Sequence, residues 1–403
     1  MILPYLASEK NKEHFFKGDS LNQGPSSSRW NELVEDYWDI VLGILAALAA
    51  FAFHNLHLSY LATFASALSI VALSVTVSEV AEILAERLGE PYGSFVLTFS
   101  AVAVEIILLY MILTAGEVSH MALETVKSGI ISAVIVDMNV LLGLAVFVGG
   151  LAYKEQEHNE DTSSTYTTIL FISSIALLVP SLLKHSANPD KIFKASVIIA
   201  IFLILYYIII YIFQTKTHSH FFKSTARSRL LRLKKRRNLS EDEEHEDDYI
   251  FERFSTWANL ISVFILIFAV GIMAEVFAHD SAHVFGDLGI SAGLAGLIIA
   301  IISVSPELIT AVKAAKNDQI QRVINIAMGA STVSILLTVP ILLGLAYLKG
   351  ISFSLDFNAL QIGALLLTVV LAWKTTDNGE TNYIEGVSHL MFFACFAVIA
   401  AMY

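Results

Sequence analysis

Charge is what this chain has least of. Only 15% of its 403 residues are charged, against about 25% in a soluble domain, and 56% are hydrophobic. Mean hydropathy is +0.67. That balance excludes a water-soluble globule. A single cysteine, Cys395, excludes an internal disulfide framework. No His-Glu-x-x-His set and no nucleophile constellation stands in the sequence, so nothing points to an intramembrane enzyme. Nucleic-acid motifs are missing as well, and no pore loop suggests a channel. The polar segment from Met1 to Trp30 precedes the first apolar run, so no cleavable signal sequence is expected. The formal charge of −12 says little about partners, because much of it lies in one loop.

What is there is a series of apolar runs. They fall at 38–53, 58–81, 92–114, 128–153, 166–183, 192–213, 257–276, 289–315, 323–347, 359–373 and 383–402. A crossing helix needs about 20 such residues, so the chain reads as an all-α polytopic membrane protein with about eleven transmembrane helices. Its expected partners are the lipid bilayer and small cations. The division that follows is a segment 1–37, a first helix 38–57, a five-helix half 58–213, a polar loop 214–254 and a second five-helix half 255–403. The loop is basic at Arg227–Arg237 and then acidic. Basic residues concentrate on the cytoplasmic side. The 227–237 run, Lys10, Lys12, Lys17, Arg29, Lys313, Lys316 and Arg322 put the N-terminus there, with Lys184, Lys191 and Lys194 dissenting.

Two runs carry an acid where acid is costly. Glu105 lies near the middle of 92–114, and Glu307 follows Ile299-Ala-Ile-Ile-Ser-Val-Ser-Pro. An ionised carboxylate at the bilayer centre costs about 3 kcal/mol or more, so each should face a cavity or a partner. The two stretches also repeat each other. Leu88-Gly89 precedes the first and Leu288-Gly289 the second; Leu141-Leu-Gly-Leu-Ala145 follows the first and Leu342-Leu-Gly-Leu-Ala346 the second. Five crossings separate the two Glu helices, and an odd number inverts the second half. Inverted repeats with a midplane site are a transporter architecture. Ser100 precedes Glu105, and Ser303 and Ser305 precede Glu307, as neighbouring hydroxyl ligands. Pro306 is expected to break or bend its helix and free carbonyls.

The stretch from Glu82 to Glu105, with Ala-Glu-Arg-Leu-Gly-Glu-Pro-Tyr-Gly-Ser inside it, resembles the first repeat of bacterial calcium/proton antiporters. Ser305-Pro-Glu-Leu and Lys316-Asn-Asp-Gln through Thr332 resemble the second. These proteins belong to the calcium:cation antiporter superfamily, whose bacterial members also exchange sodium or potassium for protons. The resemblance runs from about Trp38 to the C-terminus. It implies two inverted five-helix repeats after an extra first helix, a bacterial-type inner membrane, and essential acids at Glu105 and Glu307. It also matches Glu82 to an acid at the end of the second helix. Eukaryotic relatives carry Gly-Asn-Ala-Val-Glu at the first site, where this chain has Ala101-Val-Ala-Val-Glu105.

Calcium takes six to eight oxygens, and two carboxylates in a low-dielectric site take up protons when no metal is bound. The expected activity is therefore calcium/proton antiport, with sodium or potassium/proton antiport on the same site as the alternative. The cation is cargo, and no cofactor is expected. Asp137 reads as a third ligand or proton relay, or as a hydrogen-bonded helix contact. Glu79 and Glu82 read as an entry vestibule or a solvated helix end. Ser331, Thr332 and Ser334 either face the site or bond backbone. The acidic run Glu241, Asp242, Glu243, Glu244, Glu246, Asp247 and Asp248 has no EF-hand spacing, and reads as a calcium-sensing loop or as solvated charge. The basic run reads as topological or lipid-binding. His218 and His220 are a weak metal signal. His279, Asp280 and His283 lie at helical spacing near the end of the seventh run, as a proton or metal entry point or a membrane-edge polar cluster. The sequence is silent on oligomeric state.

Overall fold

The computed structural model describes residues 25–89, 92–115, 119–183, 188–222 and 249–402. The basic run 227–237 and the acidic residues 241–248 lie outside them. Eleven long helices make the fold: α1 Pro25–Asn55, α2 Ser59–Leu88, α3 Tyr92–Thr114, α4 His120–Tyr153, α5 Glu160–Leu182, α6 Pro189–Thr217, then, after the four-residue α7 Ile250–Arg253, α8 Thr256–Leu288, α9 Ala292–Lys316, α10 Ile320–Leu348, α11 Ala359–Thr376 and α12 Tyr383–Met402. Ten of them are long and apolar enough to cross a membrane, and Thr98–Thr114 of α3 is a shorter apolar helix. The eleven expected runs each find a helix. Several helices outrun their apolar stretch, most of all α1 and α8.

Local chemistry sets the ends. Ser119, Ser255 and Ser291 cap α4, α8 and α9 by accepting the backbone N–H of Ala122, Ala258 and Leu294. Asn358 and Gln361 form a capping box on α11. The repeated Leu-Gly pair now has a physical cause. Gly89 ends α2 and Gly289 ends α8, both at φ 63°, a backbone conformation that a side chain disfavours. In α6, Ile198, Ile201, Phe202, Leu205, Ile208 and Ile209 are exposed. Such a stripe suits lipid tails rather than water.

The centre of the bundle is made by α2, α3, α4, α8, α9 and α10. α2 packs along α8, and α4 crosses α9 at backbone range. A Cβ added at Gly296 of α9 would lie 2.5 Å from the Gly129 nitrogen of α4, so only glycine permits that crossing. Two features were not expected. Among the described residues three helices contain a π turn, at Asp137–Leu141 in α4, Phe213–Thr217 in α6 and Ser334–Thr338 in α10. The chain also has two strands among the described residues, β1 Glu155–Glu157 and β2 Glu380–Asn382, paired antiparallel between the α4–α5 and α11–α12 links. Pro306 does not break α9, which runs unbroken from Ala292 to Lys316. The π turns disturb the backbone elsewhere, in α4 and α10.

Candidate cation site

α3 carries Glu105 into the bundle, where it is 9% exposed. Its Oε2 accepts two hydrogen bonds from the π turn of α10, from Ser334 Oγ at 2.8 Å and Thr338 Oγ1 at 2.9 Å. Oε1 is enclosed and has no partner. Asp137 opens the π turn of α4 and is buried. Its Oδ2 accepts from Ser331 Oγ of α10 at 3.1 Å, and its Oδ1 is again without a partner. Glu307 of α9 is half-buried as a residue, yet its Oε2 is enclosed and unpartnered. All three carboxyl groups lie close enough to feel one another's charge.

An orphaned buried oxygen is costly, about 1–3 kcal/mol and more if charged. Three of them on three neighbouring acids fit a bound cation or protons. π turns are frequent at functional sites, because they release backbone groups from the regular ladder. Here the π turn of α10 donates to Glu105, and that of α4 begins with Asp137. By the repeated pentapeptide, Asp137 and Thr338 are counterparts, each six residues before its glycine, Gly143 or Gly344. Each contacts an acid or hydroxyl from the other half of the chain.

The other expected residues fall in several places. Ser331 reaches the acids through Asp137. Ser100, Ser303 and Ser305 donate to carbonyls of their own helices, those of Val96, Ala300 and Ile301. Thr332 donates to Met328 O in the same way. Glu82 stands at the end of α2 and pairs with Arg322 of α10, and Tyr249 donates to Glu79 at 3.1 Å. Both are remote in sequence from their partners. Sequence reasoning missed Thr338, whose signal was the pentapeptide register. It also missed His389 of α12, fully buried between Asn139 Oδ1 at 3.0 Å and Thr375 Oγ1 at 2.9 Å. Asn139 belongs to the α4 π turn and donates to Thr368 Oγ1 at 3.0 Å. No spacing in the sequence links these four.

The family model described as sodium/calcium exchanger protein matches residues 54–216 and 259–402, one stretch in each half. The chain belongs to the sodium/calcium exchanger protein family. That places it in the calcium:cation antiporter superfamily, among transporters rather than enzymes. Its relatives include the sodium-potassium/proton antiporter ChaA of Escherichia coli, 26% identical over 82% of this chain and 86% of that one. The Ca(2+)/H(+) antiporter of Aphanothece halophytica is 26% identical over 83% of this chain and 88% of that one. Among solved structures, native YfkE superposes with a TM-score of 0.73 at 19% identity, covering 91% of this chain and all of that one. The H+/Ca2+ exchanger CAX gives 0.64 at 16% identity, over 92% and 93%. At those identities the superpositions establish the exchanger fold.

Proposed function

We propose that this exchanger-family protein moves calcium against protons, with Glu105, Glu307 and Asp137 as the alternating cation and proton site. The observation that supports the reading most is the set of three carboxyl groups, each with an enclosed oxygen that no side chain or backbone satisfies. Glu105, Glu307 and Asp137, with the hydroxyls of Ser331, Ser334 and Thr338 and water, supply enough oxygens for the six to eight that calcium takes. Three acids suit a divalent charge better than a monovalent one. When calcium leaves, two protons replace it on Glu105 and Glu307, so the site carries the same net charge in both states.

The two family-matched stretches support a division into inverted halves at 58–213 and 255–403. Positive charge near the loops supports a cytoplasmic N-terminus in a bacterial-type plasma membrane. Glu82, held by Arg322, then stands at the cytoplasmic mouth as a gate. A sodium or potassium/proton exchanger is the second reading, favoured by the likeness to ChaA.

Proteoliposomes loaded with a pH-sensitive dye separate the two. Calcium-driven proton movement, absent in Glu105→Gln and in Glu307→Gln while both variants insert, supports the first reading. A response to sodium or potassium alone moves the assignment to the second. Silence toward all three cations defeats both.

A further inference from the structure

α8 is longer than the bilayer needs. Its 33 residues span about 50 Å at the helical rise, against a hydrocarbon core of about 30 Å. Its apolar run, 257–276, ends before His279, Asp280 and His283, which the last turns carry. α1 ends at the same place and brings in His54. His54 Nδ1 lies 2.6 Å from Asp280 Oδ2, and its ring meets that of His279 edge to face, with centroids 5.3 Å apart. His283 follows one turn later, its ring 5.5 Å from that of His279. One ligand atom from each of His54, His279 and Asp280 can be chosen so that all lie within 4.8 Å of one another. Asp280 is 2% exposed at the base of this cluster, while His54 is half-buried and His279 exposed. The acid is fixed, and the imidazoles open toward solvent.

We propose that His54, His279 and Asp280 form a binding site for a divalent transition metal of the zinc class, separate from the transport site. The ligand types decide the metal. Two imidazoles and one carboxylate are a zinc-type set, with His283 or water in the fourth position. Calcium, which wants six to eight oxygens, has too few here. Ligands about 2.0–2.1 Å from a tetrahedral metal lie about 3.3 Å apart, so His54 swings off its hydrogen bond to Asp280 by less than 1 Å to bind. The residues come from two elements, and a bound metal therefore pins α1, most of which lies outside the family-matched stretches, to the first long helix of the second half.

The test uses the full-length protein in detergent, free of any polyhistidine tag, titrated with Co2+ as an optical probe and then with Zn2+. One equivalent of Co2+ giving the intense visible bands of a tetrahedral site, displaced by Zn2+, is the expected result. His54→Ala and His279→Ala each weaken binding at least tenfold, and Glu307→Gln leaves it unchanged. His279 is exposed, so its variant folds whatever His54→Ala does to the α1–α8 contact. Wild-type protein that takes up no stoichiometric Co2+, binding that survives His279→Ala intact, or binding that disappears in Glu307→Gln overturns the proposal.

Discussion

Thr338 donates to Glu105 across the two halves of the chain, 233 positions apart in sequence and 2.9 Å apart in space. Ser334 adds a second donor to the same oxygen. Hydrogen bonds to a charged group contribute about 1.5–3 kcal/mol each. Thr338→Val keeps the shape and removes the donor. The expected outcome is an apparent cation affinity about tenfold weaker, read as a rightward shift of the concentration dependence of exchange in proteoliposomes. Ser334→Ala should give a similar shift, and an unchanged curve in both would remove the α10 hydroxyls from the site.

Asp137 separates charge from hydrogen bonding. Asp137→Asn keeps an oxygen for the Ser331 hydroxyl and deletes one negative charge. If Asp137 helps hold a divalent ion, calcium affinity falls at least tenfold while monovalent transport, where present, changes less. Isothermal titration of purified protein measures this directly. Equal loss for both kinds of cation would make Asp137 a structural contact.

Lys127 tests stability away from the acids. It lies in α4 with its side chain 8% exposed, paired with Asp356 at 2.6 Å and Glu124 at 3.0 Å. Removing Asp356 leaves Lys127 with Glu124 as its one acid, so the cost falls below the about 3–5 kcal/mol of a buried charge stranded outright. Asp356→Ala should lower the thermal midpoint in detergent by several degrees. Lys374→Ala, which breaks a solvent-exposed pair with Asp377, should change it little.

The repeated pentapeptide makes a sharper test. A Cβ on Gly143 would lie 2.7 Å from the Cβ of His389, whereas one on Gly344 meets nothing within 4 Å. Gly344→Ala should therefore fold and transport normally. Gly143→Ala should destabilise and disturb the His389–Asn139 contact, and an expression and thermal-shift comparison of the two decides it.

His158, in the link between β1 and α5, gives a pH dependence. Burial pushes its imidazole below the ordinary range, and a hydrogen bond to the Thr376 carbonyl offsets part of that shift. The unfolded chain then binds a proton more readily than the folded one, so stability is full above the ordinary histidine value of about 6.5 and falls as pH drops through it toward the lower folded value. The thermal midpoint of wild type should drop between pH 7 and pH 5 by more than that of His158→Gln. Parallel curves would show that His158 takes no part.

Much of this architecture is legible in the sequence, because membrane helices advertise themselves by length and apolarity. Glu105 and Glu307 are legible for the opposite reason: each is an expensive residue in a run that otherwise avoids charge. Thr338 and His389 are harder to find, and Ser334 is legible only as one of two alternatives, facing the site or bonding backbone. A hydroxyl or an imidazole at a helix–helix contact carries no local signature, and its meaning comes from a partner more than two hundred positions away. The π turns are equally silent, since Asp137–Leu141 and Ser334–Thr338 read as ordinary helix by periodicity. Pro306 lies inside an unbroken helix, so the expected break is absent.

The short ladder between β1 and β2 stitches the two links that lead into α5 and α12. Covalent continuity already joins α4 to β1 and β2 to α12, so four helices share one anchored end. At that end main-chain hydrogen bonds hold α4, α5, α11 and α12 together, and the helices that carry Glu105 and Glu307, α3 and α9, take no part in the tie.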